Sequence, residues 1–145
     1  MDLHDSLKLE RYKFVTDRQK YFTELARDAF ASYARLFSGL AAAGVALVST
    51  RTKLELRPAV LLYLINGILY LTTFLGLVTS AQIVFCLARW WEFRNAERKM
   101  NPDSPPIGWW WWLFETLYVM AILVAVVGAW CVARQLPELL RQSAP

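Results

Sequence analysis

Histidine and cysteine are nearly missing from this sequence. The one histidine, His4, sits in the charged N-terminal stretch, and the two cysteines, Cys86 and Cys131, each lie inside a long apolar run. No Cys-x-x-Cys pair occurs and no second ligand type stands near either thiol, so both read as inert core thiols ahead of metal ligands or redox partners. Glycine is scarce as well, with six in the chain, and none form a phosphate-cradling loop or a nucleophile elbow. Paired carboxylates inside an apolar run are absent too. The sequence therefore predicts no enzyme, no metal site and no cofactor.

Charge is the other shortage. Only 19% of the 145 residues are charged, while 57% are hydrophobic. Residues 59–88 and 109–133 form apolar runs longer than the roughly 18 residues at which a helix reads as membrane-spanning. A third, at 29–50, is rich in alanine and glycine and contains one charge, Arg35. The first 35 residues are charged throughout, so no secretory signal precedes these runs. The expected fold is an all-α integral membrane protein with three transmembrane helices, the first two extended as long helices into the cytoplasm.

Aromatic residues fit that environment. Trp109, Trp110, Trp111 and Trp112 are consecutive, and on a helix they point all round the axis at about 100° intervals. Indoles favour the headgroup boundary, where an apolar body and an N–H group both find partners. Trp90, Trp91 and Trp130 lie near other span ends in the same way. A belt is the expected reading, ahead of an aromatic cage for a cation.

Basic residues set the orientation. Seven lie in residues 1–35 (Lys8, Arg11, Lys13, Arg18, Lys20, Arg27, Arg35) and four in the link between the second and third spans (Arg89, Arg94, Arg98, Lys99). Five lie on the other side: Arg51, Lys53, Arg57, Arg134 and Arg141. The positive-inside rule places the N-terminus in the cytoplasm and the C-terminus outside.

The chain divides accordingly into a cytoplasmic amphipathic helix over 1–28, a first span over 29–50, an outer link over 51–58, a second span over 59–88, a cytoplasmic extension and Pro-rich turn over 89–108, a third span over 109–134 and an outer tail over 135–145. Asp5 or Ser6 caps a helix that nothing breaks before Pro58, a natural first helical residue. In the amphipathic part, Glu10, Lys13, Asp17, Lys20, Glu24 and Arg27 alternate in sign at helical spacing and read as a solvated face. Arg11 and Arg18 stand outside that ladder. With Arg94, Arg98 and Lys99 they are the candidates for an anionic ligand. Phe14, Tyr21, Phe22 and Leu25 form an apolar face that a lone helix in water would leave uncovered, so they pack on a second chain or on the extension of the second span. Gly39 and Ala43 belong to small-xxx-small spacing, which permits close helix approach in a membrane.

Polar groups inside the spans each need a partner or water. Asn66, Thr73 and Ser80 recur every seven residues along one stripe of the second span, and Glu115 lies two turns into the third. These four are the pore-lining candidates. The stripe reads equally as hydroxyls bonding back to their own helix and an amide joining helices. Glu115 reads equally as an ion-pair partner of Arg35 or Arg89.

The stretch "ERYKFVTDRQKYFTELARDAFASYARLFSGLAAAGVALV" resembles the charged helix that enters the membrane in small bacterial defence effectors, those of the SLATT type and the tetrameric channel component of Hailong-type anti-phage systems. The likeness covers most of the chain as an arrangement of helices and assigns no residue a role. It implies a homo-oligomeric pore, gated from the cytoplasm by a nucleotide or oligonucleotide, that depolarises the cell. The alternative is a non-conducting scaffold that recruits a cytoplasmic partner protein through the Phe14–Phe22 surface. A small transporter ranks third, because internal repeats and broken helices are missing from the sequence.

Overall fold

The computed structural model describes residues 3–50, 57–101 and 110–142. They form three α-helices, α1 (Leu3–Thr50), α2 (Pro58–Met100) and α3 (Trp110–Gln142). The side chains of the tryptophan run at 109–112, the outer link at 51–56 and the turn at 102–108 lie outside the described residues. All three helices are long and apolar enough to cross a membrane.

Local chemistry sets the helix ends. Pro58 opens α2 with its fixed φ and no N–H to satisfy, and the Leu61 N–H closes the first turn onto the Arg57 carbonyl at 3.1 Å. At the other end Asn101 is extended, with φ −133° and ψ 92°, because Pro102 follows it and disfavours a helical residue there. Its N–H still donates to the Glu97 carbonyl at 2.8 Å, and Arg98 and Lys99 place positive charge on the last turn. The third helix does not stop at 134, the end of the expected third span. It continues through Pro137 to Gln142, taking in most of what the sequence reads as an outer tail.

At about 1.5 Å per residue, α1 is roughly 70 Å long, more than twice the thickness of a bilayer core. It packs antiparallel along α2: Tyr12 reaches Glu97, Phe14 meets Phe93, and the Tyr33 hydroxyl lies against Gly76. In turn α3 packs antiparallel on α2, with Ile122 and Val126 at Gly76 and Trp130 at Thr73. The central helix is thus α2, and α1 touches α3 through the stacked rings of Phe30 and Tyr118, 4.5 Å apart. The core is small: Ala26, Tyr33, Ile83, Cys86 and Ile122 form one buried cluster, flanked by Phe22, Leu25, Phe37 and Leu75.

Outside that core the surface is apolar. Leu36, Val45, Tyr63, Tyr70, Phe74, Leu77, Phe85, Phe114, Val124 and Val132 are all exposed. A protein in water rarely leaves so continuous an apolar surface uncovered. The charged ladder of α1, from Glu10 to Arg27, is exposed throughout, as a solvated face should be.

Candidate functional site

Two polar regions lie along the helices, one in the charged ends of α1 and α2 and one between the apolar stretches. Glu97 centres the first. It is buried, and three side chains surround it: Gln19 Nε2 donates to Oε2 at 2.7 Å, the Arg94 guanidinium pairs closely with the same oxygen, and Tyr12 Oη donates more weakly to Oε1 at 3.4 Å. Burial pushes the Glu97 carboxyl upward. The donors from Gln19, Arg94 and Tyr12, with the charge of Arg94, together outweigh it and hold the group below the usual carboxylate range. Tyr12 and Gln19 are seven residues apart, so one face of α1 presents both to a single carboxylate.

Arg94 is therefore drawn inward onto Glu97, away from the expected anion-binding surface. Arg11, Arg18, Arg98 and Lys99 remain exposed, with the Arg18 guanidinium 5.2 Å over the Phe14 ring. The apolar face is divided. Phe22 stacks on Phe93 at 5.8 Å and Leu25 packs on the core, whereas Phe14 and Tyr21 stay half exposed even though Phe14 touches Phe93 edge-on. Gly39 and Ala43 are exposed, and nothing in the chain lies within 4 Å of where a Gly39 side chain would start.

In the second region the heptad stripe of α2 separates into three environments. Asn66 is exposed, and it is the one member of the four pore-lining candidates that is. Thr73 is partnered within the chain, donating to the Leu69 carbonyl at 2.8 Å and accepting from Trp130 Nε1 at 3.0 Å. The Ser80 Oγ is buried with no protein hydrogen-bond partner, and the same is true of Glu115 Oε2. The separation follows from helix geometry, because a seven-residue repeat drifts by about 20° per step on an α-helix. Ser80 is turned about 40° from Asn66, toward the other helices.

Neither expected ion pair of Glu115 forms. Phe30 stacks on Tyr118, which sets Glu115 level with Arg27 and puts Arg35 two turns farther along α1, roughly 12 Å away. Arg89 instead bonds Glu92 at 2.7 Å and lies over the exposed Phe85 ring. Among the described residues no group of three or more His, Cys, Asp or Glu side chains could hold a metal, and both cysteines are free.

Between the C-terminal halves of α1 and α3, against the N-terminal half of α2, lies an apolar cavity of about 590 Å³. Gly44, Val48, Leu69, Thr72, Gly128 and Val132 are among the residues that line it. Compared with protein-family models, curated proteins and solved structures, the chain gives no match, so its function rests on its own residues.

Proposed function

We propose that this chain is a three-span integral membrane protein that assembles with copies of itself into a channel, with its N-terminus in the cytoplasm and its C-terminus outside a bacterial inner membrane. The observation that carries this reading is the exposure of Asn66 on an otherwise apolar surface. The residue lies seven positions into the apolar run of α2, about 10 Å below its outer end. An amide facing hydrocarbon there is unfavourable by several kcal/mol. A neighbouring copy or an aqueous path relieves that penalty, and a ring of α2 helices around a pore supplies both. The uncovered Gly39 and Ala43 give α1 a surface on which a neighbouring helix packs closely.

The resemblance to small defence effectors supplies the setting: an anti-phage effector that depolarises the membrane when a nucleotide or oligonucleotide binds Arg11, Arg18, Arg98 or Lys99. Such binding weakens with salt, because phosphate contacts release counterions. No catalytic step is part of this proposal. A second reading, a non-conducting scaffold, draws on the half-exposed Phe14 and Tyr21, which offer a partner protein an aromatic surface.

Ion flux through purified protein in liposomes separates the two. The channel reading predicts flux that falls at least tenfold in Asn66→Leu while native mass spectrometry shows an unchanged oligomer. Oligomers that leave liposomes tight, whatever stimulus is added, favour the scaffold. A monodisperse monomer in mild detergent overturns the assembly itself.

A further inference from the structure

Tyr33, Ser80 and Glu115 come one from each helix, and each buries an oxygen that has no hydrogen-bond partner among the protein's atoms. They are the side chains of this kind among the described residues. Tyr33 is the most enclosed, with 4% of its surface exposed. Ser80 departs from its neighbours in a telling way. Ser38, Ser49, Thr50, Thr72 and Thr73 all bond back to the carbonyl one turn earlier, the usual resolution for a hydroxyl in an apolar helix, and Ser80 does not.

The packing places the three oxygens in one seam. A side chain starting at Gly76 would lie 3.4 Å from Tyr33 Oη and 3.1 Å from methyl groups of both Ile122 and Val126, so the three helices converge there. Ser80 stands one turn from Gly76 on the same face of α2, about 6 Å away. With Gly76 between Ile122 and Val126, Glu115 comes level with residue 85 of α2, a further 7 to 8 Å along the axis at about 1.5 Å per residue. A water bonded at about 2.8 Å on each side bridges 5 to 6 Å. The intervals suit a short file of waters, and buried polar groups are as a rule satisfied by protein or by ordered water.

We infer that the seam between the three helices binds a file of ordered waters that links Glu115 through Ser80 to Tyr33, giving each chain an internal polar path. This path is separate from any pore between copies and does not rest on the channel reading. It hydrates the Glu115 carboxyl from inside one chain and ends at Gly76 and Tyr33, where the helices close. One turn beyond, Thr72 begins the lining of the apolar cavity.

Water-edited solid-state NMR on the intact protein in lipid tests the inference. Ile83 and Ile122 serve as internal controls, each 1% exposed and in the same packed core. Magnetisation from water should reach Tyr33, Ser80 and Glu115 side-chain carbons at least several-fold faster than the Ile83 and Ile122 methyls. Ser80→Ala should slow the transfer to Tyr33 and Glu115 by twofold or more, because it removes the central anchor. Transfer to the three polar side chains as slow as to the two isoleucines would overturn the inference. So would Ser80→Ala leaving the other two unchanged. Tyr33→Phe supplies an independent reading: a lower melting midpoint supports a bound water, and an unchanged or higher one contradicts it.

Discussion

Glu97 and Glu115 are both carboxylates drawn into the packing of the same three helices, and they are treated in opposite ways. Glu97 lies in the charged ends of α1 and α2 and receives donors from Tyr12, Gln19 and Arg94. Glu115 lies between apolar stretches and has a buried oxygen with no protein donor. One region is a closed polar clasp that holds α1 on α2 outside the apolar stretches. The other is an unfinished polar seam. A group already satisfied at every atom is structural, and a group left incomplete inside an apolar stretch is where a ligand, water or a second copy belongs.

The largest effect is expected from opening the clasp. Glu97→Ala removes the acceptor that Tyr12, Gln19 and Arg94 share, a loss of about 3 kcal/mol, at the low end of the range for a broken buried ion pair. Hydrogen exchange should then rise in α1 around Tyr12 and Gln19 while the amides near Tyr33 stay protected. Equal loosening along the whole of α1 would mean that the clasp is not a local device.

Overpacking the seam comes next. Gly76→Val drives new methyl groups into Ile122 and Val126, which a Cβ alone would already approach to 3.1 Å. Such overpacking costs about 1 to 3 kcal/mol. The melting midpoint should drop, and the Tyr70–Trp130 contact should loosen in tryptophan fluorescence. Gly67→Val, where nothing lies within 4 Å, should leave both readings unchanged.

Acid sharpens the comparison further. The Glu97 carboxyl is held below its ordinary value, so its stabilisation is complete above the unfolded-state value, about 4.3. It is lost as pH falls through the lower, folded value. Exchange in the charged end of α1 should therefore rise below pH about 4, and Glu97→Gln should flatten that dependence. A Glu97→Gln profile that matches the wild type would assign the acid response to other groups. The smallest effect belongs to Arg89→Ala. Its pair with Glu92 is half exposed on both sides and contributes about 0.5 kcal/mol or less, so the melting midpoint should barely move.

The helices themselves were legible in the chain. The unbroken pattern over the first 50 residues, the proline at the first position of α2 and the proline after Asn101 all act through neighbouring residues, and the structure has α1 continuous to Thr50 and α2 running from Pro58 to Met100. The outer tail expected from 135 onward is different, since α3 continues through Pro137 to Gln142. The polar stripe of α2 was legible as a repeat, and its rotation follows from 3.6 residues per turn. The register between helices was not, because it depends on which ring meets which, such as Phe30 on Tyr118. That is why Glu115 seemed able to reach Arg35. Glu97 escaped notice because in "RNAERKM" a lone carboxylate among bases looks like part of a solvated surface, and only the approach of Tyr12 and Gln19 reveals it as buried. The Tyr33 hydroxyl is likewise buried only through the packing of α1 against Gly76.

The central claim is that Asn66 faces an aqueous path within an assembly of copies. Asn66→Cys in a background lacking the exposed Cys131, treated with a membrane-impermeant thiol reagent in ion-conducting liposomes, tests it most directly. The account predicts that the cysteine is modified from the water phase and that modification blocks most of the flux. A cysteine that the reagent cannot reach, in protein that still conducts, would place Asn66 against lipid or a dry helix contact and contradict the pore.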